Sequence, residues 1–305
     1  MKAAFRWVAL FLRLSRPHFL LGGFLLYGLG GAVAYHLGLS VDPGLYAIGQ
    51  ALVTTTQLMT HFLNEYYDAP VDQRNPNRSL LTGGSGALGP TGLPRTTALF
   101  AAIGCLTLAA SLASLLLVQG RGSLLAWIVL LLGFLGAFSY NAPPLSLIST
   151  GYGEVVSSIV VAGLVPTFAF ALQAGRLERL LLLTLAPLVA LHFAMLLAFE
   201  LPDFGSDAEG GKRTLTVRLG CMTAMRLHDL AIITAAIALV AAIASGVPTR
   251  VGLGALIVLP LGLAQLWQTR RLRLGFPPRW RTLTLFALVL FGLTAYLELV
   301  GFLLA

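Results

Sequence analysis

Residues 64–78 read NEYYDAPVDQRNPNR. Three acids (Glu65, Asp68, Asp72) and two arginines (Arg74, Arg78) crowd into this stretch, in a chain of which only 10% is charged. Asn64, Asp68 and Asp72 are spaced four and four, so on a helix their oxygen-bearing side chains share one face. The residues just upstream, from about 43, are mostly apolar. The stretch therefore reads as a polar stripe at the mouth of an apolar helix.

The composition says what kind of helix that is. The chain has 305 residues, 57% of them hydrophobic, and a mean hydropathy of +0.85. A soluble domain averages about 45–50% apolar and about 25% charged residues, so this balance belongs to a polytopic membrane protein. The net charge of +8 then implies no nucleic acid, because basic excess in such a chain marks loops held in the cytoplasm. Cys105 and Cys221 stand far apart without metal-ligand spacing and read as packing residues. The apolar stretch after residues 1–17 is too long for a cleaved signal and reads as a first span.

A membrane helix needs about 20 mostly apolar residues. Nine segments qualify: 18–38, 43–64, 95–118, 123–141, 152–174, 179–200, 221–246, 250–268 and 283–304. The expected fold is all-α, a single membrane-embedded bundle over 1–305 with a possible pseudo-repeat of spans 1–4 and 5–8. Of the 20 Lys and Arg, only Arg121, Arg176, Arg179 and Arg250 fall on the side of the C-terminus. The asymmetry puts the N-terminus and the 64–78 stretch in the cytoplasm and the C-terminus outside.

A second acidic stretch, ELPDFGSDAEGGKRTLTVRLG at 200–220, follows span 6 on the same side. Glu200, Asp203 and Asp207 repeat the stripe at spacings of three and four, and Lys212 and Arg213 follow, as Arg74 and Arg78 follow the first. Converging carboxylates repel, and a divalent cation relieves the conflict. Mg²⁺ takes oxygen ligands and typically binds one or two carboxylates together with substrate phosphates. The bases suit the remaining phosphate oxygens. The expected substrate carries a diphosphate head at the membrane surface and an apolar tail in the bilayer, as a polyprenyl diphosphate does.

At this point the motifs resemble the UbiA superfamily of intramembrane prenyltransferases, over nearly the whole chain. Asn64, Asp68 and Asp72 meet its N-x-x-x-D-x-x-x-D motif, and Asp203 and Asp207 its D-x-x-x-D motif. NEYYD and GKRTLTVRLG (211–220) look most like the menaquinone branch, and SYNAPPLSLISTGYGE (139–154) also looks like a family segment. RSLLTGGSGAL (78–88) departs from the arginine-proline version of the ubiquinone and chlorophyll enzymes. The resemblance implies Mg²⁺-dependent transfer of a polyprenyl group to an aromatic acceptor, 1,4-dihydroxy-2-naphthoate in menaquinone biosynthesis. Other acceptors stay open: 4-hydroxybenzoate, homogentisate, haem, or a phosphorylated glycerol or sugar lipid. The resemblance implies that Asp68, Asp72, Asp203 and Asp207 hold the metal and that Asn64 contributes an amide oxygen or orients the diphosphate. Glu200 stands behind them, and Arg74, Arg78, Lys212 and Arg213 bind substrate.

Several residues keep two readings. The Tyr140 ring faces a carbocation or belongs to an interfacial belt. Arg16 reaches the diphosphate or holds the topology. His61 and His192 meet the acceptor or are structural. Glu65 lies off the Asn64–Asp68 stripe, and no general base is named. The glycine-rich loop 82–92 is a flexible connector or a lid. Arg270, Arg271, Arg273, Arg279 and Arg281 read as topology and lipid-surface contacts. A rival class is a transporter with intramembrane acids. No obligate protein partner is expected.

Overall fold

The structure, a computed structural model, describes residues 2–305, with side chains from Phe5 onward. It opens with α1 (Lys2–Leu14), α2 (Pro17–His36), α3 (Pro43–Asp72), α4 (Arg95–Val118) and α5 (Leu124–Asn141). α6 (Gly153–Ser158) and α7 (Val165–Ala174) are joined by a π-helical turn at Ile159–Leu164 into one segment, Gly153–Ala174. Next come α8 (Arg179–Glu200), the short α9 (Phe204–Glu209) and α10 (Leu215–Leu219), then α11 (Cys221–Ala244). α12 (Thr249–Leu256), α13 (Leu259–Arg273) and α14 (Trp280–Leu304) complete the bundle.

Among the described residues, eight segments are long and apolar enough to cross a membrane. The ninth expected span lies in α3, whose 30 residues extend about 45 Å. α3 is long enough but more polar, carrying Gln50, Thr54, Thr55, Thr56, Gln57 and Thr60 along its middle. Large apolar side chains stay exposed on the outer helices, among them Phe100, Val118, Leu124 and Leu131. In water such a surface would aggregate; against hydrocarbon it is matched. The interior is closed by small residues that bring backbones together. A Cβ on Gly30 of α2 would lie 2.1 Å from the Pro166 carbonyl of α7.

Local chemistry sets the breaks. The Asp42 carboxylate accepts from the Leu45 N–H at 2.9 Å, and Pro43 opens α3 with φ already fixed. α3 runs eight residues past the expected end of its span, through Pro70. Proline has no N–H for the carbonyl four residues back, that of Tyr66. The Arg95 guanidinium donates to that carbonyl instead and stacks on the Tyr66 ring, so the helix continues to Asp72. Likewise the π turn precedes Pro166, which cannot donate to Ala162.

One expectation is corrected and two are refined. Residues 2–14, ahead of the first expected span, form a separate helix, α1. Its Phe11 stacks on Phe62 of α3 at 5.7 Å, while Phe5, Val8 and Leu12 are exposed. The expected span at 250–268 lies within Thr249–Arg273, which is long and apolar enough to cross a membrane but is interrupted between α12 and α13, where Pro260 starts a new helix. Arg273 is not a lipid contact, since its guanidinium pairs with Asp229 of α11 at 2.5 Å. Asp229 also accepts from Thr269 at 2.6 Å, so these polar groups satisfy one another between α11 and α13.

Candidate active site

The two acidic stripes meet at one end of the bundle, at the ends of α3 and α8. The first stripe is helical throughout, as its spacing predicts. The second is not one helix. α8 stops at Glu200, the chain turns, and Asp203 opens α9. The turn keeps helix-like pitch, because Asp203 N donates to Glu200 O at 3.0 Å and Asp207 N to Asp203 O at 2.9 Å. The spacing of the stripe therefore survives the break.

Each stripe is held by a residue from the other. Lys212 Nζ, beyond the second stripe, donates to Asp68 Oδ2 of the first at 2.7 Å. Asn75, beyond the first stripe, donates from Nδ2 to Asp203 Oδ1 of the second, also at 2.7 Å. Asn64 Nδ2 shares the Asp68 oxygen at 2.8 Å and reaches Asn141 Oδ1 of α5 at 3.0 Å. Asn77 Nδ2 donates to the Pro202 carbonyl at 2.9 Å and fastens the loop after α3 to the turn after α8.

The glycine-rich loop is not a loose connector. Gly83 N donates to Asp203 Oδ2 at 3.1 Å. Ser85 donates to Glu65 twice, from N at 2.7 Å and from Oγ at 2.6 Å. Gly83 and Gly84 take φ of 74° and 73°, the left-handed region that glycine enters freely. Gly84 also lies flat on Asp72, where a Cβ would meet Oδ2 at 2.3 Å. Glu65, 3% exposed, is thus committed to the loop and to Arg16, whose Nε lies 3.6 Å from Oε1.

Burial dominates the electrostatics. It pushes the Asp72 carboxyl, beyond the expected end of the span, up to about 8, with the Asp68 charge adding to the shift and Lys212 opposing it. Asp203 and Asp207 are pushed up to about 6 by burial, and Lys212 again opposes. Burial works against the charge on Lys212, but Asp68 and Asp207 outweigh it and hold the ammonium well above its ordinary range. The site therefore keeps a largely buried, charged lysine among carboxylates that resist ionising together.

Other expected residues divide. Tyr140 lies within electrostatic reach of Lys212, Glu154, Glu200 and Asp68, in the last turn of α5. Arg78 Nη2 donates to the Asp72 carbonyl at 2.7 Å, next to the loop. Glu200 Oε2 accepts from Thr216 N at 3.2 Å. Arg16, in a left-handed conformation before Pro17, pairs with Glu65. Arg74 and Arg213 are exposed and stand apart from these contacts. The histidines read as structural: His61 Nδ1 meets the Ser15 carbonyl at 3.1 Å, and buried His192 Nδ1 meets Ser158 Oγ at 3.1 Å. Sequence reasoning missed Asn75, Asn77, Ser85, Asn141 and Glu154. The signals were the N-P-N at 75–77 beside the acids and the 139–154 segment, which holds Asn141 and Glu154.

The donor set fits a hard divalent cation. Its free members are carboxylate oxygens: among the described residues no hydrogen bond reaches the carboxylates of Asp72 and Asp207. Also among the described residues, no three His, Cys, Asp or Glu side chains converge enough to hold a metal by themselves. The arrangement is two separate pairs, Asp68 with Asp72 and Asp203 with Asp207. That suits Mg²⁺, which keeps waters and shares substrate phosphates, and not an all-protein cage.

A sequence profile for the UbiA prenyltransferase family matches residues 24–291, most of the chain. The chain belongs to the UbiA prenyltransferase family. As a UbiA member it is a membrane-embedded prenyltransferase, which decides against the transporter reading. One curated relative, the 1,4-dihydroxy-2-naphthoate octaprenyltransferase of Bacillus subtilis (strain 168), is 26% identical over 218 residues, 70% of this chain and 67% of that protein. A UbiA homologue from Archaeoglobus fulgidus, solved with GPP and Mg²⁺, shares the fold at a TM-score of 0.63 and 14% identity, covering 95% of this chain and 99% of that one. The apo UbiA homologue from Aeropyrum pernix K1 superposes at a TM-score of 0.64 and 14% identity, covering 91% and 96%.

Proposed function

We propose that this UbiA enzyme transfers a polyprenyl group from an allylic diphosphate to 1,4-dihydroxy-2-naphthoate, the prenylation step of menaquinone biosynthesis. The observation that carries the reading is the reciprocal tie of the two acidic stripes, Lys212 to Asp68 and Asn75 to Asp203. It joins two distant segments into one charged, largely buried cluster at the end of the apolar bundle. The choice of acceptor rests on the naphthoate-prenylating relative.

Asp68 and Asp72 on one side, and Asp203 and Asp207 on the other, would hold Mg²⁺. When bound, the metal supplies Lewis-acid stabilisation of the leaving diphosphate. Lys212 and Arg78 neutralise charge that builds on the diphosphate as the allylic C–O bond breaks. Lys212 does so as a preorganised cation in a water-poor site, where such stabilisation is strongest. Asn64 orients the diphosphate. The Tyr140 ring offers its π face to the carbocation-like carbon. The electron-rich ring of the acceptor forms the new C–C bond, and carbon dioxide leaves with diphosphate as the co-product. The loop over Gly83–Ser85 closes the site against water. The enzyme sits in the cell membrane in nine spans, with the N-terminus and this site cytoplasmic.

The test uses purified enzyme in detergent with geranyl or farnesyl diphosphate, Mg²⁺ and a panel of acceptors, with prenylated product read by mass spectrometry. Product with 1,4-dihydroxy-2-naphthoate and its loss with EDTA are expected. Product with 4-hydroxybenzoate, homogentisate or a phosphorylated glycerol lipid, and none with the naphthoate, would overturn the acceptor.

A further inference from the structure

Behind the aspartates lies a second pair of carboxylates for which the reaction above has no use. Glu154 comes from the first turn of α6 and is 1% exposed; Glu200 ends α8. Their carboxyl groups are neighbours, close enough to interact directly. Both reach the same small element. Glu154 Oε1 accepts from Leu215 N at 2.8 Å, and Glu200 Oε2 accepts from Thr216 N at 3.2 Å. These are the first two N–H groups of α10, which have no partner within their own helix. A five-residue helix is too short to persist by itself. Two membrane helices therefore hold its start from outside.

Three residues before Leu215 is Lys212. Its backbone N donates to Asp207 O at 2.9 Å, and its ammonium crosses to Asp68 at 2.7 Å. The segment 207–216 is thus fastened at its near end by α9 and at its far end by Glu154 and Glu200. We propose that Glu154 is a positioning residue for prenyl transfer: by clipping the start of α10 to α6 and α8, it fixes the reach of Lys212 across the cleft. The inference rests on the reading of Lys212 as the cation that serves the diphosphate. A second hold on α10 exists, in which Arg218 bonds the Thr150 carbonyl and stacks on Tyr152 at 5.5 Å. That hold keeps α10 near its place, so a Glu154 variant still folds with Lys212 loosened.

The experiment is a double-mutant cycle on the full-length enzyme in detergent. It uses Glu154→Leu, Glu154→Gln, Lys212→Met and the Glu154→Leu/Lys212→Met pair, with kcat and KM for the prenyl diphosphate read per folded molecule. Misplacing a reacting group by about 1 Å costs up to roughly 100-fold, so Glu154→Leu is expected to lower kcat about 10- to 100-fold. Added to Lys212→Met it should cost nothing further, because the residue it positions is gone. Glu154→Gln still offers an oxygen to Leu215 N and an amide to Glu200, and is expected to keep most of the rate. A full rate for Glu154→Leu, or additive losses in the pair, overturns the inference. A dead Glu154→Gln also overturns it, since that outcome marks a proton carrier. If Lys212→Met itself keeps the full rate, the reading of Lys212 falls and this inference falls with it.

Discussion

Asn75→Ala removes an amide that never needs to touch substrate, yet it should cripple the enzyme. It deletes the donor to Asp203 Oδ1 at 2.7 Å and the acceptor for Asn77 N at 2.9 Å. A hydrogen bond to an ionised group contributes about 1.5–3 kcal/mol and a neutral one about 1 kcal/mol. Asn75 is 7% exposed, so water cannot take its place freely. A second effect runs the same way. Burial pushes the Asp203 carboxyl up to about 6 and the Asn75 amide works against that shift, so without the amide Asp203 takes up a proton at still higher pH. The Asn77 bond stabilises the loop, which leaves the Asp203 bond as the part that bears on transfer. Its 1.5–3 kcal/mol corresponds to about a 10- to 150-fold loss in kcat/KM for the prenyl diphosphate. The assay is initial rates against prenyl diphosphate at several Mg²⁺ concentrations, with the folded fraction checked by size exclusion. The half-saturating Mg²⁺ should rise as well. A folded Asn75→Ala enzyme with unchanged kcat/KM and Mg²⁺ dependence would refute the reciprocal tie between the stripes.

Further outcomes follow from the same geometry. Gly84→Ala combines a left-handed backbone with a Cβ 2.3 Å from Asp72 Oδ2, so transfer should fall at least tenfold while the bundle stays folded; a wild-type rate would mean the loop does not lie on Asp72. Glu65→Ala frees Ser85 and uncovers Arg16, and limited proteolysis should then cut within 82–92, where the parent enzyme resists. The pH dependence has a definite sign. Asp72, Asp203 and Asp207 are pushed from an ordinary 3.8 to about 8, about 6 and about 6, so the folded metal-free chain holds more protons than the unfolded one across that window. Stability in EDTA is therefore greatest below the ordinary value and is lost as pH rises through about 8, the position of Asp72. Melting in EDTA should drop between mildly acidic and mildly basic buffer, and Mg²⁺ should restore stability most on the basic side. An EDTA melting point that rises with pH would contradict the burial of these groups.

The spans were legible because hydrophobic length is a strong signal. Arg95–Val118 and Arg179–Glu200 fall where the apolar runs end. The Asn64–Asp68–Asp72 stripe was legible because helical spacing alone predicts a shared face. What the sequence hid were effects of contact. Pro70 argues for a helix end, and only the Arg95 guanidinium at the Tyr66 carbonyl lets α3 continue. Lys212 reads as a base awaiting phosphate, whereas its pairing with Asp68 spans 144 residues and leaves no mark on local pattern. Loop 82–92 looks flexible by its glycines, yet those glycines serve a close approach to Asp72 and Asp203. Asn75 sits beside the first acidic stripe and Glu154 closes the 139–154 segment, but their partners are 128 and 61 residues away, so their roles appear only once the chain is folded.

The most direct measurement is turnover by the single variants Asp68→Ala and Asp203→Ala, one from each stripe, inserted in membranes and purified beside the parent enzyme. The account predicts that each alone abolishes Mg²⁺-dependent transfer and diphosphate release while the protein remains folded. Transfer at the parent rate by either variant would contradict it.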